Sequence, residues 1–129
     1  MTEDNGRANA LAEARQGDEC LAEAEHLVKG GFRNGAVSRA YYAAYHWARA
    51  LLFLKGIEPK THRGVVQLLA LHYVQTGALR EESAAALSHL ETFRELGDYH
   101  AKASFDTRQA AAEVQRARQF VDACRPLLP

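Results

Sequence analysis

A short stretch of the sequence, RELGDYH at residues 94–100, combines residue types that can do acid–base and phosphate chemistry. Arg94 carries a permanent cation that can bind a phosphate through two parallel hydrogen bonds and stabilise charge developing on it. The imidazole of His100 can take or give a proton near neutral pH. Asp98 and Tyr99 lie between them. This combination is suited to cleavage of a phosphodiester bond.

The spacing of Arg94 and His100 restricts how the two could act together. On an unbroken helix they would lie about 120° apart around the axis and about 9 Å apart along it, too far to share one substrate atom. We predict that the helix breaks at Gly97, which would let His100 fold back; a second copy of the chain could also complete the pair. The simpler explanation is that Arg94 pairs with Asp98 or Glu91. His100 would then be an ordinary loop residue.

Other kinds of chemistry have little support in the sequence. The six histidines are scattered, and none forms the H-x-x-x-H pair that would place two metal ligands on one helix face. No G-x-x-x-x-G-K-[ST] phosphate loop and no G-x-G-x-x-G fingerprint is present. We therefore expect neither a metal site nor a cofactor.

The element expected to position this stretch is a central helix over Asn34–Lys55, which holds the only Trp and three of the five Tyr. One of its faces is apolar, with helical spacing: Val37, Tyr41, Ala44, Ala48 and Leu51. A second, polar stripe lies roughly opposite: Arg39, Tyr42, His46 and Arg49. This stripe could line a substrate cleft, support the site or form a dimer surface. The alternative is that Arg39 pairs with an acid such as Asp98 while the tyrosines pack.

Four further helices complete the prediction, and no segment alternates long enough to make a strand. The five predicted helices cover residues 7–29, 34–55, 62–76, 79–96 and 106–124, with residues 1–6 frayed and 97–105 in a loop. Asn34 and Thr61 are the expected N-caps, Asp106 with Gln109 resembles a capping box, and Gly56 can end the central helix. We predict an all-α, up-and-down bundle of about five helices.

Composition sets the remaining expectations. A chain of 129 residues is expected to form one domain, residues 1–129, with its core within 7–124. No apolar run of about 18 residues and no signal-like region occurs, so we expect a cytoplasmic protein without a membrane segment. Cys20 and Cys124 are expected to be small buried hydrophobes. The zero net charge argues against a sequence-blind nucleic-acid coat, although Lys29–Arg63 carries seven bases against one acid.

Three motifs resemble those of the HEPN domain, and more narrowly of small stand-alone prokaryotic HEPN proteins. These proteins carry an S-R-x-Y-Y-A-x-Y helix, a K-x-H-x-G-V motif before the next helix, and an R-x-x-x-D-Y element. Here the motifs read SRAYYAAY at Ser38–Tyr45, KTHRGV at Lys60–Val65 and RELGDY at Arg94–Tyr99. The resemblance covers about Leu11–Cys124.

The resemblance implies a homodimeric helical bundle, often encoded beside a nucleotidyltransferase that would serve as antitoxin partner. Many such proteins are metal-independent endoribonucleases, and a number act as toxins or in defence. Their catalytic motif is Arg, four to six residues, then His, set near the dimer interface. Arg94 and His100 fit it as catalytic residues. The expected supporting or substrate-binding residues are Arg39, Tyr42, His46, Asp98 and Tyr99.

The resemblance also leaves an alternative function open. A non-catalytic HEPN subunit would bind a nucleotide or dock a nucleotidyltransferase without cleaving RNA. The acid at Glu95, which would repel a phosphate, and the zero net charge favour this alternative.

Overall fold

The computed structural model describes residues 2–100 and 105–129, and this part of the chain forms five α-helices and no strand. The helices are α1 Glu3–Lys29, α2 Arg33–Leu54, α3 His62–Leu69, α4 Glu81–Tyr99 and α5 Thr107–Cys124. A π-helical turn, Ala70–Val74, continues α3, and a 3₁₀ turn, Arg125–Leu127, follows α5. None of the helices in these two ranges has both the length and the apolar character needed to cross a membrane. The predicted all-α bundle is confirmed.

Helix α2 lies at the centre of the bundle and packs against α1, α3, α4 and α5. Its contacts with α1 and α4 pair residues in opposite order along the chain, as an up-and-down arrangement requires. The predicted apolar face is buried throughout: Val37, Tyr41, Ala44, Ala48 and Leu51. Cys20 and Cys124 are also buried, with free thiols, as expected. A helix surrounded in this way must find a partner for each polar side chain it carries.

Several predicted helix ends are confirmed by their caps. The Thr61 hydroxyl accepts a hydrogen bond from the Gly64 amide at 2.8 Å, and Asp106 and Gln109 form a reciprocal capping box. Gly56 follows α2 with a φ of +74°, the left-handed conformation that glycine adopts without a steric penalty.

Other boundaries differ from the prediction. α1 begins at Glu3 rather than at Arg7, because the Thr2 side chain accepts a hydrogen bond from the Asn5 amide and caps the extra turn. α2 begins one residue before Asn34, which therefore does not cap it. The fourth helix begins two residues later than predicted. Only the α1 start is set by a side-chain cap, since α2 and α4 have no side-chain hydrogen bond at their N-caps, and none of these differences changes the topology.

The seam between α1 and α2 is unusually close at Gly17. A Cβ atom at this position would lie 2.6 Å from Trp47 Cδ1 and 3.0 Å from the Ala43 carbonyl oxygen. Trp47 is 1% exposed and donates from Nε1 to Asp18 at 3.0 Å, and the Arg125 guanidinium lies 4.9 Å from the Trp47 ring. Glycine in the middle of α1 is thus required by the packing of the two helices.

Charged side chains join the same two helices nearer the start of α1. Glu13 of α1 accepts a hydrogen bond from His46 Nδ1 at 2.6 Å and forms an ion pair with Arg49 Nε at 3.3 Å. Burial acts to raise the pKa of Glu13, but the His46 hydrogen bond and the charge of Arg49 outweigh it and lower the pKa. This cluster stabilises the bundle as long as Glu13 is ionised.

We predict that Gly17→Ala destabilises the fold by about 1–2 kcal/mol, because overpacking a core typically costs about 1–3 kcal/mol and alanine regains part of this through its helix propensity. Urea unfolding measures the change. Gly35→Ala is the matched control, since its Cβ would meet only Leu27 Cδ1 at 3.5 Å, an ordinary contact. If both variants are as stable as the wild type, the seam is not close-packed at Gly17.

We also predict that Glu13→Gln lowers the free energy of unfolding by about 2 kcal/mol at neutral pH, the scale of a hydrogen bond to a charged group. The folded-state pKa of Glu13 is lowered, so its contribution is present above the unfolded-state value of about 4.5 and is lost as the pH falls through the folded-state pKa. The difference between variant and wild type should therefore shrink below pH 4.5. Urea unfolding at a series of pH values tests this, with the exposed Glu19→Gln as control.

Candidate functional site

Arg94 of α4 lies against the aromatic residues of α2. Its side chain is 8% exposed, and its guanidinium carbon lies 4.9 Å from the Tyr41 ring centroid and 5.7 Å from that of Tyr42. Tyr99, from the last turn of α4, lies 5.8 Å from the same carbon and is 73% exposed. Three electron-rich rings therefore surround one cation, an arrangement that stabilises a partly desolvated guanidinium.

The polar contacts of Arg94 are two long ion pairs. Its Nη1 lies 3.7 Å from an Asp98 carboxylate oxygen and its Nη2 lies 3.9 Å from one of Glu95. Within the described residues, the buried Nε has no hydrogen-bond partner. Burial acts to lower the pKa of Arg94, but the surrounding tyrosines Tyr42, Tyr99 and Tyr41 raise it on balance. Arg94 stays charged, and an anion could still satisfy part of its hydrogen-bonding capacity.

The predicted break at Gly97 is wrong, because α4 continues through it to Tyr99. The glycine serves packing instead: a Cβ there would lie 2.9 Å from Phe105 Cε2. Its carbonyl oxygen accepts a hydrogen bond from Asn34 Nδ2 at 3.4 Å, the bond Asn34 makes in place of the expected cap. Residues 101–104 of the expected loop lie outside the described residues.

The structure does not bring His100 onto Arg94 of the same chain. His100 is the exposed C-cap of α4, and its amide donates to the Leu96 carbonyl at 3.3 Å. Because the helix is unbroken up to Tyr99, the angular offset of about 120° and the rise of about 9 Å persist between the two residues. The expectation that His100 folds back within one chain is therefore wrong.

The polar stripe of α2 divides between two neighbourhoods. The Arg39 guanidinium lies 5.0 Å from the Tyr42 ring, and its Nη1 donates to Cys20 Sγ at 3.9 Å. Asp98 lies beside Arg94 instead, so the suggested pair of Arg39 with Asp98 does not form. His46 lies 6.4 Å from the Tyr42 ring, and its hydrogen bond goes to Glu13 on α1. Arg39 and Tyr42 thus border the Arg94 site, whereas His46 belongs to the α1–α2 seam.

One residue that the sequence analysis did not single out is His62, the first residue of α3. Its Nδ1 is hydrogen-bonded to the Tyr41 hydroxyl, and its ring stacks on Tyr45 at 4.5 Å between centroids, with the planes 13° apart. His62 is part of the KTHRGV motif, which marked the family resemblance without indicating a partner. The Tyr41 ring thus contacts an imidazole as well as the Arg94 cation.

The assembled site offers a permanent cation, phenol hydroxyls and imidazoles. Burial, followed by the charge of Glu91, raises the pKa of Tyr41, so its hydroxyl remains a hydrogen-bond donor. Within residues 2–100 and 105–129, no three His, Cys, Asp or Glu side chains are grouped to hold a metal ion. These groups are able to bind an anion at Arg94 and to transfer a proton at an imidazole.

Comparison with protein families gives a match that spans most of the chain. A family model described as the HEPN domain matches residues 12–127. This range contains Arg94 and its three tyrosine neighbours, together with His62 and His100.

Individual relatives are consistent with this match. A UPF0332 protein of Thermotoga maritima is 31% identical over 114 residues, covering 88% of this chain and 86% of that protein. A Methanocaldococcus jannaschii protein named "Putative toxin" is 32% identical over 111 residues, covering 86% and 82%. A UPF0332 protein of Pyrococcus horikoshii is 42% identical over 72 residues, covering 56% of this chain and 51%, about half, of its own length. The chain belongs to the HEPN domain family.

Proposed function

We propose that this protein is a metal-independent HEPN endoribonuclease of the toxin kind, in which Arg94 binds the scissile phosphate and His100 is the acid or base. The observation that carries the proposal is the state of Arg94. It is a buried, permanently charged guanidinium whose Nε has no partner among the described residues and whose ion pairs span 3.7 and 3.9 Å. A phosphate oxygen would provide the short, charge-assisted hydrogen bond that the carboxylates do not provide.

The reaction would use the ribose as its own nucleophile. His100 would take the proton of the 2′-hydroxyl, or donate one to the departing 5′-oxygen, while Arg94 stabilises the charge on the phosphorane. The products are a 2′,3′-cyclic phosphate and a 5′-hydroxyl, and no bound metal is needed to balance this reaction. Tyr99 is well placed to move, because it covers Arg94 while being 73% exposed.

The helix geometry favours a homodimer for this reaction. Within one chain, Arg94 and His100 project in directions about 120° apart, so one phosphate cannot readily contact both. A two-fold axis near the end of α4 would set His100 of each copy against Arg94 of the other. The exposure of His100 and Tyr99 at this end of the bundle supports that arrangement.

The relatives with the printed name "Putative toxin" support a place for the protein in a toxin–antitoxin pair. The partner we propose is a nucleotidyltransferase antitoxin. Such a partner would suppress the activity by covering or modifying the end of α4.

A second candidate function is favoured by the burial of Arg94. A guanidinium that is 8% exposed and lies beside Asp98 and Glu95 could be purely structural. The protein would then be a non-catalytic subunit that binds a nucleotide or docks the nucleotidyltransferase. Calorimetric titration with nucleotides, and co-purification with the product of the adjacent reading frame, would identify this function.

We predict that purified protein cleaves single-stranded RNA in the presence of EDTA, and that Arg94→Ala and His100→Ala each reduce the rate at least about 100-fold, as loss of a positioned acid–base group does. His72→Ala is the matched control, because His72 lies in the π-helical turn. That turn packs on the far end of α2, where Tyr73 bonds to Leu51. Retention of full activity by His100→Ala would exclude it as the acid or base.

Mixing the two inactive variants tests the shared site. If Arg94 of one copy works with His100 of the other, a heterodimer of Arg94→Ala and His100→Ala contains one intact site and one doubly defective site. We expect about half of the wild-type activity per heterodimer. If each site is formed within one chain, both sites of the heterodimer are defective and the mixture stays inactive. Light scattering on the wild type gives the oligomeric state independently.

A further inference from the structure

We propose that His62 is a positioning residue of the Arg94 site: by holding the Tyr41 hydroxyl, it fixes the aromatic face against which the Arg94 guanidinium lies. The effect on RNA cleavage rests on the function proposed above. The structural effect on Arg94 does not, and the two can be measured separately.

The first step is the need of the Tyr41 hydroxyl for a partner. Tyr41 is 1% exposed, and burying a hydroxyl without a hydrogen bond is costly. Burial raises the pKa of Tyr41, so the phenol keeps its proton and remains a hydrogen-bonding group. Its partner in the structure is His62 Nδ1.

The second step is the rigidity of His62 itself. Its ring lies 13° from parallel with both Tyr45 and Tyr41, with centroids 4.5 Å and 5.8 Å away. Its backbone is fixed at the start of α3, where the Thr61 side chain caps the helix through the Gly64 amide. The imidazole is therefore held in place independently of Tyr41 and can restrain the position of the Tyr41 hydroxyl.

The third step connects Tyr41 to Arg94. The guanidinium carbon is closer to Tyr41, at 4.9 Å, than to Tyr42 or Tyr99, at 5.7 and 5.8 Å. Its two ion pairs are too long to hold it alone, and its Nε has no acceptor within the described residues. The position of the Tyr41 ring therefore sets the position of the cation. A residue on α3 thus acts on a residue of α4 through the side chain of α2 that lies between them.

The test compares three substitutions of His62. His62→Ala removes both the hydrogen-bond partner of Tyr41 and the stacking, His62→Phe keeps the stacking only, and His62→Asn places an amide group, which can donate or accept, near the original Nδ1 position. Thr61 still caps α3 in each variant, so the helix start is retained. The matched control is His89→Ala, another half-buried histidine, which stacks on Phe93 at 4.6 Å and bonds to Glu113 at 3.2 Å.

The first readout is the Nε–Hε resonance of Arg94 in a proton–nitrogen NMR spectrum, assigned by its loss in Arg94→Lys. The aromatic rings shift this signal, so it reports the placement of the guanidinium. We expect His62→Ala and His62→Phe to move it, and His62→Asn and His89→Ala to leave it near its wild-type position. An unmoved signal in a folded His62→Ala, or an equal shift in His89→Ala, would overturn the proposal. If His62→Ala does not fold, Tyr41→Phe removes the same hydrogen bond and must shift the resonance.

The second readout is RNA cleavage. A small displacement of a phosphate-binding cation lowers the rate of the chemical step, so we expect kcat to fall at least about tenfold in His62→Ala and His62→Phe, with KM little changed. His62→Asn should recover most of the rate. If the wild type cleaves no RNA, the proposed endoribonuclease function fails and the NMR comparison still decides the role of His62. If kcat is equal in all His62 variants although Arg94 moves, the placement has no catalytic consequence and that part is wrong.

Discussion

The guanidinium of Arg94 must remain charged in a place where water hardly reaches it. A buried cation without compensation is among the most costly features a fold can carry. Here the compensation comes from tyrosine faces on the central helix together with carboxylates at 3.7 and 3.9 Å. This requirement explains why α2 carries neighbouring tyrosines at the height where α4 crosses it. It also ties α3 to the site, since Tyr41 needs His62 for its own buried hydroxyl.

The architecture was accessible from sequence because its signals are local. Helical periodicity, the Thr61 cap and the Asp106 capping box act within a few residues and need no knowledge of the neighbours. The continuation of α4 through Gly97 could not be predicted from the sequence. A glycine late in a helix looks the same in sequence whether it ends the helix or lets another chain segment approach. Here the side chain of Phe105 packs against Gly97, and the helix continues. Gly17 is a second such case, a glycine inside α1 that allows the close approach of Trp47.

The sequence predicted which residues belong to the site better than it predicted how they are arranged. The RELGDYH stretch indicated Arg94, Asp98 and Tyr99, which the fold does place together. The stripe on α2 showed which residues share a face but not which helix meets each part of that face. Glu13 of α1 binds His46, while Arg39 reaches Cys20 and Tyr42. The proposed role of His62 depends on its contact with Tyr41, 21 residues away in sequence, and the residue spacing does not indicate such a contact.

Scaffold and phosphate ligand are compatible roles for Arg94. Contact with aromatic rings does not use the N–H groups of a guanidinium as conventional hydrogen-bond donors, so these groups stay available to another acceptor. A carboxylate at 3.7 Å is a long partner and could yield to a phosphate oxygen. The requirement that remains is geometric. An unbroken α4 directs His100 away from its own Arg94. Catalysis that uses Arg94 therefore needs either His100 from a second copy of the chain or a different imidazole.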